Sequence, residues 1–269
     1  MNKIYIPEKD KIAKDNMWRW YQNAILETNL LDLSDKEREV FCEYYREAGL
    51  FQTWRQPFFK QHYANTFERA SVYLLESTSK PRIVDLGCGT GTQSLYFALM
   101  GASVAAFDMD SVALEIFRKR IDYYQKYSGR QLDITIYEAN TLMFDYEQIG
   151  PIDGVYSMFA FNMMQPSDVL VENIDRSMHK GARVAIIDGN NLSWLPRVVP
   201  SRRRNVWSPK TFRNKLEEIG YKVDKHHGGI VFPPLMWRII PRIFIEPMDQ
   251  LLSKFWLFPI SHQILAEKL

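Results

Sequence analysis

Two acidic residues follow short apolar runs on either side of a glycine-rich segment, and together these residue types can hold a nucleoside. Asp85 lies at the end of the first run, and glycine then occurs at every second position, at Gly87, Gly89 and Gly91. Asp108 directly follows the second run. A carboxylate accepts hydrogen bonds from an ammonium group or from both hydroxyls of a ribose, and glycine lets a ligand approach the backbone closely. The pattern predicts a nucleoside site.

The segments around these residues must place them at one edge of a sheet. Residues 83–86 predict a buried strand that breaks into the glycine loop. Residues 92–100 predict a helix that ends at Gly101, and residues 104–107 predict a second strand. The order of strand, glycine loop, helix, strand and acid is typical of half of a doubly wound nucleotide-binding fold.

The spacing of the glycines distinguishes between nucleotides. Dinucleotide enzymes use Gly-x-Gly-x-x-Gly, which seats a pyrophosphate on a helix N-terminus. This chain has Gly-x-Gly-x-Gly preceded by Asp85, and an acid there would repel a pyrophosphate but suit an ammonium group. The segment Val-Asp-Leu-Gly-Cys-Gly-Thr-Gly at 84–91 resembles the signature of class I S-adenosylmethionine (SAM)-dependent methyltransferases. An NAD-type fold or a plain strand-to-helix turn is the alternative.

The resemblance implies a role for each residue that matches the family's motifs. The loop backbone would wrap the methionine part and ribose of SAM, Asp85 would face the amino group, and Asp108 would bind the ribose hydroxyls. Met109 would lie against the adenine, and Asn140 stands where the family usually has an acid that receives the adenine amino group. The full set of expected cofactor-binding residues is Asp85, Gly87, Cys88, Gly89, Gly91, Asp108, Met109, Asn140, Tyr156, Ser157 and Met158.

Simpler structural roles remain open for the two acids. Asp108 could cap the following helix, and Asp85 could hold the amides of the glycine loop. The side-chain amide of Asn140 can still accept the adenine hydrogen bond through its oxygen.

The rest of the chain predicts an α/β fold with additions. The resemblance covers residues 80–225 and the last strand, and it implies a Rossmann-like, doubly wound sheet of seven strands whose last strand is antiparallel. Residues 1–78 predict a helical N-terminal extension, which we interpret as a lid; a helical cap that merely packs on the sheet is the alternative. Residues 79–269 would form the SAM-binding methyltransferase domain.

An aromatic and aliphatic insertion, residues 229–259, lies between strands six and seven. Five prolines forbid one long helix, and Arg238 and Arg242 forbid a membrane span. Three interpretations stay open: a wall of the acceptor pocket, a surface that contacts a membrane peripherally, and a dimer or packing patch.

Methyl transfer from SAM needs a base only when the acceptor must lose a proton. His62 and Tyr63 in the extension and His226 at the end of strand six are the candidates, although a lone histidine is more often structural. The histidines lack carboxylates at ligand spacing, which disfavours a metal.

Motifs and charges that the chain lacks restrict the chemical class of the methyl acceptor. Phe-Ala-Phe-Asn at 159–162 departs from the Asn/Asp-Pro-Pro-aromatic motif of base-methylating enzymes, and 34 basic against 32 acidic residues give a net charge of +2. Nucleic acid is therefore not the expected partner. Arginines at 202–204 could hold an anion. We expect transfer to oxygen or nitrogen of a small or amphipathic acceptor; the alternatives are a peptide or protein methyltransferase, and a SAM-binding partner subunit without activity.

The two cysteines, Cys42 and Cys88, predict no disulfide framework and fit a reducing, cytoplasmic setting. The first residues contain no apolar run of the signal-peptide kind, and no run reaches the ~18 apolar residues of a membrane span. The oligomeric state stays open.

Overall fold

A seven-stranded sheet organises the structure, a computed structural model that describes residues 3–8, 12–46, 50–194, 207–255 and 258–269. The strand order is β3-β2-β1-β4-β5-β7-β6, and β7 is antiparallel to both of its neighbours. The strands are β1 (Arg82–Leu86), β2 (Ser103–Asp108), β3 (Ile134–Glu138), β4 (Ile152–Met158), β5 (Met178–Gly189), β6 (Tyr221–Gly228) and β7 (Ser261–Lys268). This topology confirms the predicted doubly wound sheet with an antiparallel last strand.

Helices cover both faces of the sheet and form the extension and the insertion. The extension contains α1 (Lys14–Leu30), α2 (Asp35–Arg46), α3 (Gln56–Phe59) and α4 (Asn65–Leu75), with a π-helical turn at Lys60–Ala64. The nucleotide-binding part contains α5 (Thr92–Leu99), α6 (Ser111–Ser128), α7 (Ser167–Asp175) and α8 (Pro209–Glu218), and the insertion contains α9 (Pro234–Ile239) and α10 (Arg242–Leu252). Within the described ranges, no helix combines the length and the apolar character needed to cross a membrane.

Local sequence signals account for several helix boundaries. In the capping box that begins α2, the Ser34 backbone N–H donates to Glu37 Oε2 at 2.7 Å, and the Glu37 N–H donates to Ser34 Oγ at 3.4 Å. Ser208 caps α8, with Pro209 at its first position. Strand β5 begins at Met178, opposite Ile152 of β4, and β6 continues to Gly228, opposite His262 of β7.

The extension shares its hydrophobic core with the sheet. Trp20, Phe41 and Phe67 are at most 1% exposed and belong to one buried cluster with Phe97 and Tyr124 of the nucleotide-binding part. Folding of the extension is therefore coupled to the sheet through a common core. Whether the extension also moves as a lid stays a prediction.

The insertion is joined to the extension by a small second cluster. Trp237 of α9 lies 6.0 Å from Phe58 of α3 and 5.4 Å from His62, measured between ring centroids. Ile245, fully buried on the inner side of α10, belongs to the same cluster. The contact fixes the insertion beside the carboxyl end of the sheet.

Candidate functional site

A cavity of about 1440 Å³ opens where the carboxyl ends of the parallel strands meet. In a doubly wound sheet, ligands bind at this edge, where the strand order reverses. The extension supplies seven lining residues: Tyr21, Tyr44, Tyr45, Arg55, Phe58, Phe59 and Tyr63. The glycine loop, the ends of β2, β4 and β5, and the insertion form the remaining walls.

The glycine loop forms the floor of the cavity, and a side chain at any of its three glycines, Gly87, Gly89 or Gly91, would clash with a neighbouring residue. Gly87 has φ +75° and Gly91 has φ +77°, conformations that side chains disfavour. A Cβ on Gly87 would overlap the Cβ of Ala160, and one on Gly91 would overlap the ring of Phe117. The Gly87 and Cys88 N–H groups both donate to Phe107 O, at 2.8 and 2.9 Å, so β2 fixes the loop.

Asp108 links the end of β2 to the glycine loop. Its Oδ2 accepts from Gly89 N at 2.7 Å, and its Oδ1 accepts from Met109 N at 2.8 Å and Asp110 N at 3.0 Å. The helix-capping alternative does not apply, because Asp110 caps α6 by accepting from Val112 N and Ala113 N. A carboxylate has about four acceptor positions, so Oδ2 keeps one position for a ligand hydroxyl.

Asp85 is a buried carboxyl group beneath the loop. It is 2% exposed, and Ser94 Oγ donates to its Oδ2 at 2.6 Å. Burial raises the pKa of Asp85 to about 7, and the nearby negative charge of Asp108 also raises this pKa. An ammonium group placed against Asp85 would restore its ionised form.

Replacing Asp85 by asparagine is expected to stabilise the ligand-free protein above pH 7. Since its folded-state pKa exceeds the unfolded value of 3.8, stability falls as pH rises from about 4 to 7, by about 4 kcal/mol in total. The side-chain oxygen of asparagine can still accept the hydrogen bond from Ser94 Oγ, and the side chain carries no charge. We therefore expect the variant to melt at a higher temperature than the wild type at pH 8, with the difference shrinking towards pH 4. A melting difference independent of pH would contradict this assignment.

A buried ion pair from the extension supports the loop from below. Arg120 of α6 and Glu27 of α1 are at most 1% exposed, with 2.6 Å between Arg120 Nε and Glu27 Oε2. Arg120 Nη1 also donates to Thr90 O at 2.6 Å and to Thr92 Oγ1 at 2.8 Å. Trp20 Nε1 donates to Thr92 O at 3.0 Å. Helix α1 is thus connected to both ends of the loop's last turn.

The polar side chains of Tyr21, Gln93 and Tyr156 surround the thioether sulfur of Met158 in the cavity wall. The Tyr156 hydroxyl lies 3.3 Å from Met158 Sδ, and Gln93 Nε2 lies 3.6 Å from the same sulfur. Gln93 Nε2 also donates to the Tyr21 hydroxyl at 3.0 Å. Because sulfur is a weak acceptor, a ligand carboxylate would be a stronger partner for these donors.

The other end of the cavity is aromatic. Tyr63 stacks on Phe59 at 4.6 Å, and its ring lies 5.6 Å from that of Phe159. Phe159 has φ +58°, a strained conformation for a bulky side chain, directly after β4. Asp188, at the end of β5, is 6% exposed and accepts from Asn162 N at 2.8 Å.

The structure brings most of the predicted site residues to one cavity. The predicted residues that line it are Asp85, Gly87, Cys88, Asp108, Met109, Tyr156 and Met158, together with Tyr63 among the candidate bases. Gly89, Gly91, Asn140, Ser157, His62 and His226 do not belong to the lining. Gly89 lies just beneath it, under the ring of Tyr44, which a Cβ on Gly89 would overlap.

Local hydrogen bonding explains two of the displaced residues. Asn140 Oδ1 accepts from Leu142 N at 3.0 Å in a turn of its own, while its neighbours Ala139 and Thr141 line the cavity. Ser157 is fully buried and donates to Leu86 O at 2.9 Å, which joins β4 to β1. Both side chains serve the local backbone instead of the cavity.

The two histidines have structural surroundings. His62 Nε2 lies 3.5 Å from Asp249 Oδ2 between the extension and the insertion, and burial lowers the pKa of His62. His226 is on the edge strand β6, where its ring lies 5.6 Å from that of buried His262. Neither residue is placed to accept a proton from a ligand in the cavity.

Several lining residues escaped the sequence analysis. Tyr21, Tyr44 and Gln93 have no motif of their own, and Gln93 alone carried a positional signal, as the second residue of the helix after the glycine loop. Asp188, which follows an apolar run, has no motif of its own either. The arginines at 202–204 lie outside the described residues. Among the side chains that are described, no group of three or more His, Cys, Asp or Glu could hold a metal ion.

Comparison with known proteins agrees with the fold. Residues 83–181 match the family model described as a methyltransferase domain. The ribosomal protein L11 methyltransferase of Thermotoga neapolitana is 30% identical over 123 residues, 44% of this chain and 41% of that protein. The ubiquinone biosynthesis O-methyltransferase of Sinorhizobium fredii is 30% identical over 168 residues, 57% of this chain and 64% of that protein.

A solved structure shows the same architecture with a ligand. The magnesium protoporphyrin IX methyltransferase of Synechocystis, with bound S-adenosylhomocysteine (SAH), superposes with a TM-score of 0.58 at 13% identity. The superposition covers 85% of this chain and 94% of that one. Fold and site together show a Rossmann-like, doubly wound sheet whose glycine loop lies between Asp85 and Asp108. Residues 83–181 match a methyltransferase domain, and the sheet has the fold of SAM-dependent methyltransferases. It spans less than two thirds of the length of the two curated relatives.

Proposed function

We propose that this protein transfers the methyl group of SAM in line to an oxygen atom of a small or amphipathic aromatic acceptor. The observation that carries the proposal is that a single cavity joins a carboxylate-rich end at the glycine loop to an aromatic end between the extension and the insertion. A cofactor held at the first end would direct its reactive group towards an acceptor at the second.

The charges of the cavity fit SAM. Its described lining contains four carboxylates, Asp85, Asp108, Asp110 and Asp188, and one guanidinium, Arg55. Such a lining suits a nucleoside that carries a sulfonium and an ammonium group, and it disfavours the pyrophosphate of NAD. The product, SAH, would keep the contact between its ammonium group and Asp85.

Individual side chains can be assigned to parts of this cofactor. Asp85 would face the ammonium group, and the remaining acceptor position of Asp108 would take a ribose hydroxyl. The donors of Tyr156 and Gln93 would turn from the Met158 sulfur to the cofactor carboxylate. Thr141, 6% exposed beside Ala139, replaces Asn140 as the residue that we assign to the adenine end.

The protein's main contribution to the reaction would be orientation. SAM supplies an activated methyl group, so the chain has to hold the acceptor atom in line with it, which can lower the barrier by ~7–11 kcal/mol. The aromatic wall of Phe59, Tyr63 and Phe159 would hold a ring. Asp188 of β5 and Tyr63 of the aromatic wall are titratable groups of the lining. We assign to Asp188 the role of the base that takes the hydroxyl proton of the acceptor.

The relatives support two classes of acceptor. An aromatic hydroxyl is favoured because the cavity is aromatic and because one relative is a ubiquinone biosynthesis O-methyltransferase. A protein acceptor is the second candidate, since another relative is a ribosomal protein L11 methyltransferase. A SAM-binding partner subunit without activity would bind the cofactor but form no product.

We expect SAH to form when the protein is incubated with SAM and phenolic or catecholic amphiphiles, and not with analogues in which hydrogen replaces the hydroxyl. Mass spectrometry of SAH and of the methylated acceptor measures this. Asp188→Asn should lower kcat at least tenfold and leave SAM affinity within about twofold, because we assign the acceptor's proton to its carboxylate and no cofactor contact to it.

Asp122→Asn, an exposed acid on α6, is the matched control and should be fully active. Turnover of a protein substrate in place of the amphiphiles would move the assignment to the second candidate. SAM binding without turnover of any acceptor would contradict the proposed activity.

A further inference from the structure

The insertion exposes an unusual concentration of large apolar side chains, which we call the insertion face. It consists of Leu235, Ile239, Ile243, Phe244, Met248, Leu251, Phe255 and Phe258. These are eight of the 17 large apolar residues that are exposed in the described part of the chain, and they lie within a single stretch of sequence. Scattered apolar residues need no explanation, whereas a contiguous apolar surface marks an interaction site.

Helix α10 presents its apolar side to solvent. Ile243, Phe244, Met248 and Leu251 fall within an arc of about 140° at 100° per residue and are 48–75% exposed. Its opposite side carries Ile245, which packs inward. A helix of a globular protein normally buries the broader apolar stripe. The outward stripe therefore requires a partner outside the described chain.

The charges around the insertion face are mostly basic. Arg238, Arg242 and Lys254 are exposed within it, and Arg242 pairs with Glu246, 2.5 Å away between Nη2 and Oε1. The other acid of the segment, Asp249, is buried, with its Oδ1 accepting from Val231 N and Phe232 N. An apolar face with basic residues suits anionic headgroups, whereas two copies packed symmetrically would bring like charges together.

The insertion face also adjoins the wall of the cavity. Pro233 and Pro234, which begin α9, line the cavity together with Ile230 and Ile260. The Trp237 side chain anchors the same helix against Phe58 of the extension. A molecule that leaves the insertion face would therefore meet the aromatic end of the cavity first.

We propose that the insertion face docks on an anionic phospholipid bilayer. A second step of this inference, which rests on the proposed function, is that the acceptor is an amphiphile that enters the cavity from that bilayer. Docking itself requires neither SAM nor acceptor.

The test is sedimentation of the full chain with phosphatidylcholine vesicles, with and without phosphatidylglycerol. We expect binding to the anionic vesicles, weaker binding to the neutral ones, and a loss of binding as salt is raised. Phe244→Glu should reduce binding at least tenfold, because it removes an exposed aromatic ring that would be buried in the bilayer and adds a charge that anionic headgroups repel. Lys254→Glu should reduce binding to anionic vesicles alone.

Met143→Glu is the matched control, since Met143 is 84% exposed after β3 and should tolerate the change without loss of binding. Calorimetry with SAH on Phe244→Glu shows whether the cavity is intact. Absence of binding to anionic vesicles, or equal losses in the Phe244 and Met143 variants, would overturn the proposal. A concentration-dependent dimer that Phe244→Glu abolishes would assign the face to a second copy instead. Because vesicle binding is measured without cofactor, it can fail while the proposed function holds.

Discussion

Asp108→Ala is expected to weaken the binding of SAM and SAH at least tenfold. A hydrogen bond to a charged group contributes ~1.5–3 kcal/mol, and a tenfold change in affinity corresponds to about 1.4 kcal/mol. The variant loses the acceptor for a ribose hydroxyl. The variant also loses the acceptor of Gly89 N. In the wild type this amide donates to Asp108 Oδ2 at 2.7 Å and so fixes the glycine loop. Calorimetric titration with SAH measures the effect.

Asp110→Asn separates this contact from the general negative charge of the cavity. It removes one charge from the same end of the lining, and asparagine can still cap α6. We expect a much smaller loss of affinity than for Asp108→Ala. Equal losses in the two variants would show that charge alone matters, and an unchanged affinity of Asp108→Ala would contradict the ribose assignment.

Arg120→Met should destabilise the protein by about 3–5 kcal/mol, because it leaves the fully buried Glu27 carboxylate without its cation. Tyr124, whose hydroxyl donates to Glu27 Oε1 at 2.6 Å, would be the principal remaining partner. Urea unfolding measures the change. The variant should also bind SAH more weakly, since Arg120 donates to Thr90 O in the glycine loop.

The double variant Glu27→Gln/Arg120→Met tests the two effects separately. Removing both charges should recover much of the lost free energy of unfolding, while the contact with Thr90 stays lost and SAH binding stays weak. Arg118→Ala is the control, because the exposed Arg118–Glu115 pair should contribute only about 0–1 kcal/mol. A stability loss for Arg120→Met as small as for this surface pair would contradict the role of the buried pair.

The sheet and the floor of the site were predictable because their signals are local. Apolar runs that end in Asp85 and Asp108, with alternating glycines after the first, dictate where strands stop and where a backbone must come close to a ligand. The capping box of α2 and the proline start of α8 are local in the same way. These features depend on residues a few positions apart.

The walls of the site depend on contacts between distant segments, which no local pattern encodes. His62 was a candidate base until its neighbour was known to be Asp249, on a helix of the insertion. The position of Asn140 in the family's motif pointed to the adenine. Its side chain instead accepts from Leu142 N in a local turn, which the motif does not encode. Tyr21 and Tyr44 enter the cavity from helices whose packing onto the loop is tertiary.

Calorimetric titration of the purified protein with SAM, SAH and NAD, each alone, would show whether the cavity binds SAM. The four carboxylates and one guanidinium among the described lining residues predict that SAM and SAH bind and that NAD does not. Binding of NAD, or absence of binding by both adenosyl compounds, would contradict this prediction.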